Sequence, residues 1–204
     1  MMKRILAFCT VLMMLVSFSG CSRSFPKEDM EQTLAEFTEA LKGYDREKMT
    51  SHLTEFPDHS QYVYLDDIFN DEAYMELYQL LYPQITYTVQ SATDHQLIVD
   101  VTMPNVQMLY TNVMTLVLQM AMEDGELQQK LSESDENGIV LIQELMLAYV
   151  RQGNEVETMT QTFTLSFDAK DGKPVIVCDD QLRALITGNF FLSKNSTLAE
   201  IGND

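Results

Sequence analysis

Positive charge is scarce in this chain: 13 lysines and arginines stand against 31 aspartates and glutamates, a formal net charge of −18 over 204 residues. Such a surface repels phosphate backbones and anionic lipid headgroups, which excludes nucleic-acid binding and electrostatic adhesion of the domain to a membrane. Cysteine is nearly as scarce, with Cys9, Cys21 and Cys178 as the whole supply. Metal-type clusters are lacking too, since His52, His59 and His95 fall at no ligand spacing. No glycine-rich phosphate loop, Gly-x-Ser-x-Gly elbow or His-Glu-x-x-His pair occurs. No cofactor is expected.

What is present starts at the N-terminus. Lys3 and Arg4 form a basic start, Ile5 to Val16 an apolar stretch, and Ser17-Phe18-Ser19-Gly20-Cys21 follows. This is the layout of a secretory signal. The apolar stretch is too short to cross a bilayer as a stable helix, which needs about 20 apolar residues. Cys21 directly after Ser19-Gly20 resembles the lipobox of bacterial lipoproteins, whose cysteine thiol receives diacylglycerol and becomes the first mature residue. The resemblance implies that residues 1–20 are a leader and that Cys21 anchors the chain to the extracytoplasmic face of the cell membrane. Two acyl chains hold firmly where one is only marginal. Lys3 and Arg4 leave with a leader that carries no acid, so the mature charge becomes −20. With Cys9 removed and Cys21 lipidated, Cys178 stands alone and no internal disulfide can form. The exported domain must rest on its hydrophobic core. Cys178 follows Val175-Ile176-Val177 and reads as a buried small hydrophobe rather than a reactive thiol.

The remaining 184 residues suffice for one core. Residues 21–26 make a very short tether, 27–192 one domain, and 193–204 are expected to be a flexible tail. Met30, Leu34, Phe37 and Leu41 recur at helical spacing from Lys27, Gly43 ends that helix, and Asp45 caps a short second one through Leu53. Asn70-Asp71 starts a third, Glu72 to Tyr82, stopped by Pro83. Ile85, Tyr87 and Val89, then Leu97, Val99, Val101 and Met103, alternate with polar residues as two strands about the turn at 92–95. Val101 to Met122 holds no charge; Pro104-Asn105 breaks it, leaving an apolar helix from Val106 to about Met122. A second apolar helix spans Ile139 to Val150. Strands Thr158–Phe167 and Pro174–Cys178 flank a turn over Asp168–Gly172, and a short helix from Asp180 to Thr187 ends at Gly188.

The segment Ala35-Glu36-Phe37-Thr38-Glu39-Ala40-Leu41-Lys42-Gly43-Tyr44-Asp45-Arg46-Glu47-Lys48-Met49 resembles the opening of nuclear transport factor 2-like (cystatin-like) domains. Phe163-Thr164-Leu165-Ser166-Phe167-Asp168-Ala169-Lys170-Asp171-Gly172-Lys173-Pro174-Val175-Ile176 resembles their last hairpin, with Asp180 to Gly188 as the closing helix. The resemblance implies an α+β fold: N-terminal helices packed on a curved antiparallel sheet of about four strands, with the two apolar helices inserted between strands two and three. Such folds often enclose a pocket but imply no particular reaction.

Three patterns could carry function. Glu133, Asp135, Asn137, Gly138 and Glu144 fill positions 1, 3, 5, 6 and 12 of a calcium loop, although Glu133 is longer than the usual Asp. The plainer expectation is a helix start, with Ser132 or Ser134 as cap and acids in the first turn. Tyr74, Tyr78 and Tyr82 share one helix face at i, i+4 and i+8. In steroid isomerase relatives of this fold, pocket Tyr and Asp residues polarise a ligand carbonyl, and Asp66 and Asp67 lie just upstream. The expectation preferred here is an amphipathic face with wet hydroxyls. The apolar helix pair holds or adjoins seven of the ten mature methionines: Met103, Met108, Met114, Met120, Met122, Met146 and Met159. Methionine suits adaptable apolar surfaces, so the pair could line a pocket through Met114 and Met146 or form a homodimer seam. An all-round apolar helix is more simply buried as core.

The resulting expectation is a lipid-anchored, non-enzymatic protein that binds a small apolar ligand or an envelope protein. The alternatives are a pocket enzyme of the same fold, a weak calcium-binding module, or a structural subunit.

Overall fold

The computed structural model describes residues 24–54, 72–123, 125 and 135–188. The leader, Cys21, Glu133, Asp66, Asp67 and the tail lie outside the described residues.

Period-two alternation builds the sheet. Strands β1 (Thr86–Ala92), β2 (Gln96–Pro104), β3 (Thr158–Lys170) and β4 (Lys173–Ile176) form an antiparallel meander in the order β1-β2-β3-β4. Leu97, Val99, Val101 and Met103 on β2 are buried, as are Phe163, Leu165 and Phe167 on β3; Val99 sits opposite Phe163 and Leu97 opposite Leu165. The other face is polar, with Thr102 hydrogen-bonded to Thr160 at 2.8 Å and Thr162 donating to Asp100 at 2.7 Å. A register shift between Val89 and Ser91 marks a bulge in β1. Bulges sharpen local twist and bend the strand.

The last hairpin is tighter than the expected Asp168–Gly172 turn. β3 continues to Lys170, which pairs with Lys173, and only Asp171 (φ 52°) and Gly172 (φ 79°) remain as the loop. Asp-Gly with both residues at positive φ is the two-residue turn whose twist matches paired strands.

Helices cover the apolar face. α1 (Lys27–Lys42) buries Met30, Leu34, Phe37 and Leu41 and packs on β4 and on α2 (Arg46–Ser51). The Asp45 side chain caps α2, accepting from the Lys48 amide at 3.2 Å. The chain enters α1 from the sheet end: the Phe25 amide donates to Asp94 O at 3.0 Å, and the Phe25 ring sits edge-on to His95. α3 (Glu72–Leu81) runs into a 3-10 turn over Tyr82–Gln84, where Pro83 halts it.

The two apolar helices are an insertion between β2 and β3, as expected. α4 spans Val106–Glu123 and α5 spans Asp135–Arg151, four residues earlier than the expected Ile139 start. Just before α4 the Asn105 amide donates to Glu157 O at 2.8 Å, extending the β2–β3 pairing by one step. α5 packs between α4 and α3, and Arg151 pairs with Glu76 across the α5–α3 contact. α6 (Asp180–Thr187) is capped by Asp179 and lies on β3.

Candidate functional site

The tyrosine face does not meet water. Tyr78 and Tyr82 are fully buried, and a third ring, Tyr44, joins them from the α1–α2 turn. Tyr44 stacks on Tyr78 at 4.6 Å and on Tyr82 at 5.5 Å between ring centroids, and Tyr78 lies 5.2 Å from Tyr82. Their hydroxyls converge on the end of α6. Tyr82 donates toward Ile186 O at 2.8 Å and Leu185 O at 3.2 Å, Tyr78 to Thr187 O at 3.0 Å, and Tyr44 to Ile186 O at 3.4 Å. A helix end leaves its last carbonyls without intrahelical partners. The phenols supply those partners, and the expected wet hydroxyls are instead a buried cap. Burial pushes all three phenols well above their ordinary value, helped by neighbouring phenols: Tyr78 and Tyr82 act on Tyr44, Tyr74 on Tyr78, and Tyr78 on Tyr82. Tyr74 lies one turn earlier on α3 and is also buried.

Tyr44 escaped the sequence reading because Gly43 looked like the turn residue. In the structure Gly43 stays in the right-handed region at φ −84°, and Tyr44 takes the left-handed position at φ 47°. A bulky residue there carries about 1–2 kcal/mol of strain. Full burial of the ring among two other tyrosines offsets it. No local signal announces such an exchange.

The calcium pattern falls largely on a helix. Positions 3 through 12, Asp135 to Glu144, lie within α5, whereas a calcium loop wraps coil around the ion. Glu144 is exposed on that helix. Among the described residues, no group of three or more His, Cys, Asp and Glu side chains is placed to hold a metal.

Cys178 is buried, and burial pushes its thiol up to about 11 despite the opposing Arg183 guanidinium. A cleft of about 570 Å³ opens between α1, α2 and the β3–β4 hairpin. Asp29, Glu36, His52, Lys170 and Lys173 line it, with the His52 and Glu36 side chains 3.8 Å apart. Its lining mixes both signs, and Lys170 donates to Leu53 O and Thr33 to Pro174 O. An apolar ligand has no place there.

The apolar helix pair divides into two faces. Val106, Leu109, Tyr110, Val113, Val117 and Ala121 of α4 are buried, with Ile142, Met146 and Leu147 of α5. Met114 is half-buried and packs against the same core, so Met114 and Met146 are core residues in this structure. The outward face of α4 differs from the all-buried expectation. It exposes Met108, Leu116, Leu118, Met120 and, at 87% exposure, Met122. Gln107, Thr111, Asn112, Thr115 and Gln119 share that face. Thr111 and Thr115 return their hydroxyls to the helix's own carbonyls at 2.9 Å. The whole outward face bears no charge until Glu123.

No family model matches the chain, and no curated protein matches it. Among solved structures, that of a candidate lipoprotein from Bacillus subtilis aligns over 78% of this chain and 46% of its own, at 14% identity and a TM-score of 0.35. This chain therefore spans less than half of that protein's length, and a likeness at this level carries no inference about fold or activity.

Proposed function

We propose that this chain is a lipid-anchored protein of the extracytoplasmic membrane face that works by docking an apolar surface on α4 and performs no reaction. The observation that carries the docking reading is the exposed, charge-free outer face of α4 in a chain of net charge −18. A solvated helix face ordinarily carries charge, and a cluster of exposed apolar side chains marks an interaction site. The lipobox resemblance at Cys21 supports the anchor. The order of helices, meander and short closing helix is compatible with the nuclear transport factor 2-like assignment. The non-catalytic reading is supported by the buried phenols, whose hydroxyls are engaged by α6 carbonyls.

Site-specific photo-crosslinking in cells tests the reading. A photoreactive residue at Leu118 should give adducts that the same residue at Thr88, exposed on the sheet, does not. Equal labelling from both positions, or none from Leu118, would sink it.

A further inference from the structure

The Asp-Gly turn of the last hairpin explains its own two residues but not the pair that flanks it. Lys170 and Lys173 stand opposite each other across β3 and β4, so their side chains leave the same face with Cβ atoms about 5 Å apart. Like charges placed directly opposite destabilise a strand pair. The turn itself asks for no lysine at either position. Both lysines line the cleft between α1, α2 and the hairpin. Among the described residues neither joins an ion pair, and the Asp171 carboxylate in the turn between them pairs with neither. Lys170 has only a long hydrogen bond to Leu53 O, at 3.4 Å. Two opposed cations of this kind suit an anion.

The facing wall has the opposite sign. α1 contributes Asp29 and Glu36 to the same cleft. Glu36 is held from two sides: Gln32 donates to its Oε1 at 2.9 Å, and His52 Nδ1 lies 3.8 Å from its Oε2. Asp29 has no ion-pair partner among the described residues. Thr33 donates to Pro174 O at 3.2 Å and ties the two walls together. At about 570 Å³ the cleft has the size of a small-molecule site, roughly 300–1,000 Å³. Such sites are usually lined by apolar groups, and this one is lined by charge. An anion alone would meet the carboxylates of α1, and an ammonium alone would meet the lysines. A molecule that carries both satisfies both walls.

We propose that this cleft binds a small phosphate monoester that also carries an ammonium, the phosphate between Lys170 and Lys173 and the ammonium toward Asp29 and Glu36. A phosphate monoester bears about −1.5 to −2 at neutral pH, which matches two lysines. A carboxylate or a phosphodiester has a single charge and leaves part of their repulsion in place. The acidic excess over the rest of the molecule repels phosphate, so binding is confined to the cleft. The site is independent of the α4 surface and of the Cys21 anchor.

Isothermal titration of the purified native protein with O-phosphoethanolamine, inorganic phosphate and ethanolamine tests the assignment. O-phosphoethanolamine should bind more tightly than either half of it. Lys173→Gln and Asp29→Asn should each weaken that binding about tenfold, the loss of one hydrogen bond to a charged group. Without ligand, Lys173→Gln should melt no lower than the parent, because it removes an opposed like charge. Inorganic phosphate binding as tightly as O-phosphoethanolamine overturns the role given to α1. Absence of heat from O-phosphoethanolamine at millimolar concentration, or undiminished binding by Lys173→Gln, overturns the site and leaves the lysines as guards of the sheet edge. Glycerophosphoethanolamine, the soluble diester form of a lipid headgroup, should bind more weakly. If it binds as tightly as the monoester, the monoester assignment is overturned and a lipid headgroup takes its place.

Discussion

Tyr82 shows how a residue legible as to its helix face can be illegible as to its task. The i, i+4, i+8 spacing placed Tyr74, Tyr78 and Tyr82 on one side of α3 and the 3-10 turn that follows it, but nothing local revealed that α6, about a hundred residues later, would end against that side. Tyr82→Phe keeps the ring packing and removes a hydroxyl shared by Leu185 O and Ile186 O. Leu185 O keeps the Gly188 amide and Ile186 O keeps the Tyr44 hydroxyl, so losing this hydroxyl should cost about 0.5–1.5 kcal/mol, read as a lower melting temperature with unchanged circular dichroism. The three rings touch, so losses from Tyr78→Phe and Tyr82→Phe should not add. The phenols also set the alkaline limit. Their folded pKa values lie above the unfolded value of about 10, so their contribution is fully present below that pH and is lost as pH rises through the folded values. Thermal melts at increasing alkaline pH should fall less steeply for Tyr82→Phe than for the parent. Equal slopes would place alkaline sensitivity elsewhere.

At the scale of elements, boundaries set by local chemistry were readable. Asp45 and Asp179 cap helices where their side chains accept backbone amides, Pro83 ends α3, and alternation marks β2 and β3. On α4 the uncharged stripe of Gln107, Thr111, Asn112, Thr115 and Gln119 marks the outward side in the sequence; what was not readable is that Leu116, Leu118, Met120 and Met122 would stay exposed beside it. The packing partner of α4, α5, is the next described helix along the chain. Gly188 is where α6 meets the start of α4. It closes α6 at φ 61°, and a Cβ there would stand 2.7 Å from Val106 Cγ2 and 3.2 Å from Pro104 O. Only glycine takes that backbone freely, and here the space is also occupied by the first residue of α4. Gly188→Ala should therefore destabilise by about 1–3 kcal/mol through strain and overpacking. A control without the steric conflict is Gly153→Ala, which is strained at φ 78° but meets nothing within 4 Å. If the two variants melt alike, the contact with Val106 contributes nothing.

For the whole molecule, the decisive quantity is the imbalance of 31 acids against 13 bases. It was legible at once, and it determines how membrane retention must be read. Exposed ion pairs such as Lys48–Asp45 and Lys27–Glu31 are local and worth little, so they leave the excess uncompensated. Like charges at this density favour expansion of the chain. Raising salt from about 0.01 M to about 0.15 M shortens the screening length from about 30 Å to about 8 Å. The melting temperature should rise over that range, the reverse of a protein held together by surface ion pairs. The same charge forbids an electrostatic hold on anionic membranes. Retention of the native protein should consequently resist high-salt washing, which strips proteins bound by charge alone. Cys21→Ala should release it, since the acyl chains of the proposed anchor are then lost. Membrane fractionation of the two proteins at low and high salt decides the matter. Salt-released parent protein, or a Cys21→Ala variant retained as firmly as the parent, would remove the lipid anchor from the account.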